Sequence, residues 1–230
     1  SGPTPAPETP TAPTEPSGPA VALEPPTYDA TGLEPAVIRR LDERTDAVQQ
    51  SPSSARTWAA LGVAYDAHGF LPQAATCYRR AHELDPGEFR WAYFAGICSE
   101  LSDVNAAIEL LSKAVELQPE YAPIAVYLGR ALLRVEKLDE SRRWFEKTIQ
   151  IDPDQIHGHL GLGSVAIAEG RHGAAVVHLE RARALEPKEG EVYQKLAAAY
   201  RASGRNDRAE EASALAEGKG RMEPLDDPLR

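Results

Sequence analysis

Residues 55–88 read ARTWAALGVAYDAHGFLPQAATCYRRAHELDPGE, and this stretch decides the fold. Apolar and small residues recur with helical spacing up to Tyr65, break at Gly69, resume after Leu71 and stop at Leu84, Asp85 and Pro86. Proline disfavours the α conformation of the residue before it, so Pro86 closes the second helix. The same punctuation recurs along the chain. Pro52, Pro86, Pro119, Pro153 and Pro187 are spaced 34, 33, 34 and 34 residues apart. The last four follow Leu84 and Asp85, Leu117 and Gln118, Ile151 and Asp152, and Leu185 and Glu186. A fixed period of this length is the mark of a repeat architecture.

Counted from Ala55, the first unit places Trp58, Leu61, Gly62, Tyr65, Ala74, Tyr78, Ala81 and Pro86 at the positions W-x2-L-G-x2-Y, A-x3-Y-x2-A and P. At these positions the chain resembles the tetratricopeptide repeat family. The resemblance implies an all-α, right-handed superhelical solenoid of helix–turn–helix repeats. The units are 55–88, 89–121, 122–155, 156–189 and 190–223, about three quarters of the chain. Later copies keep a small residue in the first helix at Gly96, Gly129, Gly163 and Ala197. They keep small residues in the second helix at Ala107, Ser141, Ala175 and Ala209, and at Ala114, Thr148, Ala182 and Ala216. Two helices cross closely there, and a larger side chain would cost about 1–3 kcal/mol of overpacking. The large members, among them Leu111, Phe145, Leu162, Leu179 and Tyr200, fill the space around the crossing. The second unit is one residue short between Ser99 and Asp103, which predicts a shortened inter-helix turn. Gly69, Gly170 and Gly204 mark the corresponding turns elsewhere, with Glu136 in the third unit.

The ends differ from the repeats. Residues 1–30 hold nine of the 19 prolines with Thr, Ala, Ser and Glu, and they read as a disordered tether that cannot bury enough apolar surface to offset ordering. Residues 31–52 carry Val37, Ile38, Leu41 and Val48 on one face, an N-terminal capping helix closed by Pro52. The second helix of the fifth unit is mostly Ala, Arg and Glu, as a terminal cap requires. Residues 218–230 have the proline and charge content of a linker or tail. A Pro/Thr-rich tether ahead of a folded domain is similar to the spacer of exported bacterial lipoproteins. That layout is shared by outer-membrane lipoproteins that help assemble pili and secretins, so an exported, membrane-tethered assembly factor is the expectation.

In the family the first helices line a concave groove through positions 2, 5, 6, 9, 12 and 13 of each unit. The resemblance thereby implies a peptide-binding groove of Arg56, Arg90, Tyr93, Phe94, Ile97, Tyr127, Arg130, Arg134, His157 and Arg201. An aromatic centre with arginines around it suits a protein or peptide with apolar and acidic side chains. One subclass clamps a C-terminal carboxylate through Lys and Asn. This chain has Ala59, Ala60 and Val63, then Tyr93, Phe94 and Ile97 in those places, so that clamp is missing. Trp91 reads as packing between repeats.

The rest of the chemistry is sparse. A formal charge of −10 disfavours nucleic acid, which needs a basic face, and an anionic membrane surface. No apolar run reaches the 18 residues of a membrane span. Residues 158–164, GHLGLGS, lack the Gly-Lys-Ser/Thr of a phosphate loop and lie inside a helix, where the glycines serve packing. His157 and His159 point in different directions on one helix and make no metal pair. Cys77 and Cys98 fall on adjacent helices, either as buried thiols or as one bridge. No nucleophile has a His and acid partner, so the chain is expected not to be an enzyme and to need neither metal nor cofactor. Three roles stay open: an adaptor holding a partner in the groove, a docking segment of a larger enzyme, and a self-associating scaffold in which a homo-oligomer forms through stack ends.

Overall fold

The computed structural model describes residues 24–217, 225 and 227–229. Most of the tether, 1–23, and residues 218–224, 226 and 230 of the tail lie outside the described residues. The described residues form eleven helices and no strand, in the order α1 (Pro35–Gln50), α2 (Ala55–Asp66), α3 (Leu71–Leu84), α4 (Phe89–Ser99), α5 (Val104–Leu117), α6 (Ala122–Arg134), α7 (Leu138–Ile151), α8 (Ile156–Ala168), α9 (His172–Leu185), α10 (Gly190–Ala202) and α11 (Asn206–Glu217). Each helix packs on its neighbours in sequence, and α8 also touches α6 and α10, so the first helices of the third, fourth and fifth units lie side by side. The solenoid expected from the repeat is the fold observed.

Close helix crossings explain the small residues. A Cβ built on Gly62 would lie 2.9 Å from the Tyr78 ring, on Gly96 2.7 Å from Leu111, on Gly129 3.0 Å from Phe145 and on Gly163 2.7 Å from Leu179. Ala74, Ala107, Ala175, Ala81, Ala114 and Ala182 on the facing helices are fully buried. Where Ser141 replaces alanine, its hydroxyl donates to the Gly129 carbonyl at 2.8 Å, so the buried polar atom is satisfied. The glycine-rich string of α8 has the same cause. Gly158 meets Ile149 and Thr148, Gly161 meets the Phe145 ring, and Gly163 meets Leu179, which lets one helix approach α7 and α9 together.

The prolines that end each unit leave a carbonyl seeking a donor. Trp58 Nε1 donates to the Pro52 carbonyl at 2.8 Å and the Tyr193 hydroxyl to that of Pro187 at 3.1 Å, while His159 Nε2 lies 3.0 Å from that of Pro153. All three side chains occupy the fourth position of their unit. Ion pairs recur with the repeat as well, Lys147 with Glu120 at 2.7 Å and Arg181 with Asp154 at 2.5 Å. These are exposed, and each is worth only about 0–1 kcal/mol.

The missing residue of the second unit shortens α4 to 11 residues and removes the left-handed residue from its turn. The other turns keep one, at Gly69, Glu136, Gly170 and Gly204. Asp103 instead starts α5, accepting from the Ala106 N–H at 3.0 Å. Leu41 and Val48 of α1 are buried against the first unit, and α11 buries only Ala209 and Ala212. Cys77 and Cys98 are both buried and not joined to each other, and burial pushes the Cys77 thiol up to about 12.

Residues 24–30 fall in the stretch assigned to the tether, yet they lie extended against the first unit. The Tyr65 hydroxyl donates to the Pro26 carbonyl at 2.6 Å, and Tyr28 meets the rings of Tyr65 and Phe70 edge-on at 6.0 Å each. Tyr28 donates to Asp42 at 2.9 Å. One aromatic residue among the prolines suffices, because it has a preformed aromatic pair to join.

Candidate functional site

The concave layer of α2, α4, α6, α8 and α10 has two parts. The first is an aromatic floor at the second and third units. Tyr93, fully buried, stands edge-on to Tyr121 at 5.8 Å and 90°, and to Tyr127 at 6.0 Å, and is tilted against Phe94 at 5.5 Å. Phe89 meets Tyr121 at 5.8 Å, and Ile97 completes the apolar surface. Such edge-to-face pairs contribute about 0.5–1.5 kcal/mol beyond the area they bury.

Seated on this floor is a stretch of the same chain. Leu225 is buried in the apolar cluster that contains Tyr93, Phe94 and Tyr127, and Leu229 packs against that cluster. Between them Asp227, only 9% exposed, accepts from the Tyr93 hydroxyl at 2.7 Å, from the Tyr121 hydroxyl, and from the Leu229 N–H at 3.0 Å. A buried carboxylate needs such donors to offset its lost hydration. Burial, reinforced by the hydrogen bond to Asp227, holds the Tyr93 phenol well above its ordinary range, so it remains a donor at any working pH.

The second part is an open cleft of about 300 Å³ that continues the groove into the third, fourth and fifth units, lined by Glu100, Arg130, Arg134, His157, Ser164, Glu191 and Lys195 among others. Arg130 links the two parts. Its guanidinium lies over the Tyr127 ring at 5.3 Å and pairs with Glu100 at 3.3 Å. Glu100 is 7% exposed, so this cation is already engaged within the wall. Lys195 pairs with Glu191 at 3.4 Å across one helical turn. Both signs of charge face the cleft, which is chemistry for polar side chains and backbone rather than for one anionic group.

The predicted groove residues therefore separate. Tyr93, Phe94, Ile97 and Tyr127 form the floor, and Arg130, Arg134 and His157 line the cleft. Arg90 is turned to Glu88 at 2.6 Å and over the Trp91 ring at 5.3 Å. Arg201 donates to Ser213 of α11 at 3.5 Å, and Arg56 is exposed on α2, so neither lines the cleft. Trp91 packs half-buried against the core. The carboxylate on the floor is met by tyrosine hydroxyls where arginine was expected. Glu100 and Glu191 occupy positions 12 and 2 of their units, so the repeat register marks them as groove positions. Tyr121 precedes α6 and lies outside any helical register.

His157 contributes to a pH dependence of stability. Burial, then the nearby Arg130, lowers its pKa, and Glu191 only partly opposes them. Burial lowers His82 and His178 too. At these three histidines the unfolded chain takes up protons near the ordinary imidazole value of about 6.5 more readily than the folded chain does. The stability held above that pH is therefore expected to decline as pH falls below it. Denaturation midpoints at about pH 7.5 and about pH 5.5 measure the decline, and His157→Gln should reduce it.

Models described as tetratricopeptide repeat match residues 55–88, 100–162 and 166–219. Superkiller protein 3 of Saccharomyces cerevisiae is 28% identical over 123 residues, 50% of this chain and 8% of its own length. The chain spans 8–20% of the length of the curated relatives it matches. Among solved structures, MamA from Desulfovibrio magneticus RS-1 superposes with a TM-score of 0.66 at 16% identity, covering 71% of this chain and 93% of that one. YrrB, described as a TPR protein with an unusual peptide-binding site, superposes with a TM-score of 0.61 at 17% identity, covering 76% and 91%. At these identities the likeness is one of fold.

Proposed function

The chain belongs to the tetratricopeptide repeat family, and on that premise we propose that it is a binding scaffold whose concave groove holds a segment of a partner protein. The observation that carries this reading is the aromatic floor of α4 and α6, on which a stretch of non-helical polypeptide already lies. A surface that seats two leucines and a carboxylate between helices has the shape and chemistry of a peptide site. The adjoining cleft extends the same groove and supplies charged side chains that select among partners. The peptide-binding site named for YrrB supports the reading by likeness of fold. No step of chemistry is needed for such a role.

Capture from extract tests it. Because Tyr93 is fully buried, the informative variant alters the cleft wall, as Arg134→Glu with Lys195→Glu, and leaves the core intact. Wild type is expected to retain proteins that the double variant loses, with unchanged helical content. Identical recoveries from both would remove the cleft as part of the binding face.

A further inference from the structure

We propose that the aromatic floor recognises a segment carrying an aspartate with a leucine two residues before it and another two residues after it, and that Leu225, Asp227 and Leu229 of this chain occupy the place of that segment until a partner displaces them. The proposal rests on the reading of the concave face as a peptide groove, and it adds the chemistry of the occupant.

The occupant is visible. Asp227 presents one carboxylate oxygen to the Tyr93 hydroxyl at 2.7 Å and the other to the Tyr121 hydroxyl. Perpendicular rings 5.8 Å apart hold the two donors so that both oxygens are met. Two such bonds fix the position of one carboxylate, and an apolar side chain there would take the acceptor from the buried Tyr93 hydroxyl. A glutamate is one methylene longer and would push its backbone off the floor. On either side Leu225 and Leu229 anchor the segment in the apolar cluster. The chain turns at Pro228 and Leu229, and the Leu229 N–H donates to the Asp227 carboxylate at 3.0 Å, so the turn brings Leu229 back to the cluster beside the carboxylate.

The segment follows α11 after a short link. Seven residues separate Glu217 from Leu225, and the eight steps between them span up to about 28 Å when extended. Held so near, it competes at a high effective concentration, although each of its contacts is modest. The floor is therefore a shielded site, and an incoming partner needs the same anchors with further contacts in the open cleft. Recognition of a side-chain carboxylate by two tyrosines differs in kind from a lysine clamp on a chain terminus.

The test uses the full chain and a labelled synthetic peptide of residues 221–230, RMEPLDDPLR, as probe. Wild type is expected to bind it weakly. A full-chain variant with Leu225→Ala, Asp227→Ala and Leu229→Ala should bind it about tenfold more tightly or better, because the site is vacated. Adding Tyr93→Phe and Tyr121→Phe, each of which removes one oxygen and keeps the ring, should weaken binding by about tenfold or more. Circular dichroism confirms that every variant is folded. Equal affinity of the wild type and the triple variant would overturn the proposal, as would tyrosine variants that bind unchanged. A wild-type dimer that the triple variant dissolves would overturn the placement within one chain. If the peptide fails while the Arg134→Glu and Lys195→Glu variant still loses captured proteins, the occupant is wrong and the groove stands. If the peptide binds as expected and capture is unaffected, the cleft is wrong and the floor stands.

Discussion

Gly161→Val is expected to lower the stability of the stack by about 3 kcal/mol, at the upper end of what overpacking costs. An added Cβ would fall on the Phe145 ring, closer than carbon atoms can approach, so the ring or a helix must shift. On its other side a Cβ at Gly129 would lie 3.0 Å from the same ring, so Phe145 is held between α6 and α8. Helix propensity works the other way, since a residue with a side chain gains up to about 1 kcal/mol over glycine in a helix. Gly173 separates the two effects. Nothing lies within 4 Å of a Cβ there, so Gly173→Ala should be neutral or stabilising by about 0.5 kcal/mol. Denaturant midpoints for both variants provide the comparison, and Phe145→Leu placed with Gly161→Val should recover part of the loss. If Gly161→Val and Gly173→Ala change stability alike, the close crossing is not what holds the glycine.

These positions also mark where the sequence was readable. Gly62, Gly96, Gly129 and Gly163 recur at the repeat period because each faces one crossing, so register alone assigns them. Gly158 and Gly161 do not recur in the other units. Their helical setting excluded a phosphate loop, but only the packing identifies Phe145, Ile149 and Thr148 as the reason for them. The groove was legible to the same depth. Tyr93, Phe94 and Tyr127 follow from position in the unit, whereas the aim of Arg90 and Arg201 depends on local partners, Glu88 and Ser213, that the repeat pattern does not encode. Residues 225–229 were opaque for a different reason. Five residues with a proline and two aspartates have the composition of a linker, and three contacts at alternate positions are too few to form a periodic signal. Their meaning resides in Tyr93 and Tyr121, more than a hundred residues away in the chain.

Tyr93 consequently serves both fold and groove, and two substitutions separate those duties. Tyr93→Ala should cost about 3–5 kcal/mol, the range for deleting a large buried ring, because it empties the space among Phe94, Tyr121 and Tyr127 and removes a donor from Asp227. Tyr93→Phe keeps the ring and leaves Asp227 buried with one donor fewer, so its cost should be about 1–3 kcal/mol. The difference between the two variants is the packing contribution. In a background carrying Asp227→Ala the hydroxyl has lost its acceptor, and Tyr93→Phe should then be close to neutral, whereas Tyr93→Ala should remain strongly destabilising. Denaturation of these five variants and the wild type gives the coupling between Tyr93 and Asp227 directly. A coupling near zero would mean that the segment carrying Asp227 adds nothing to the stability of the floor, and the hydroxyl would then owe its place to the ring alone.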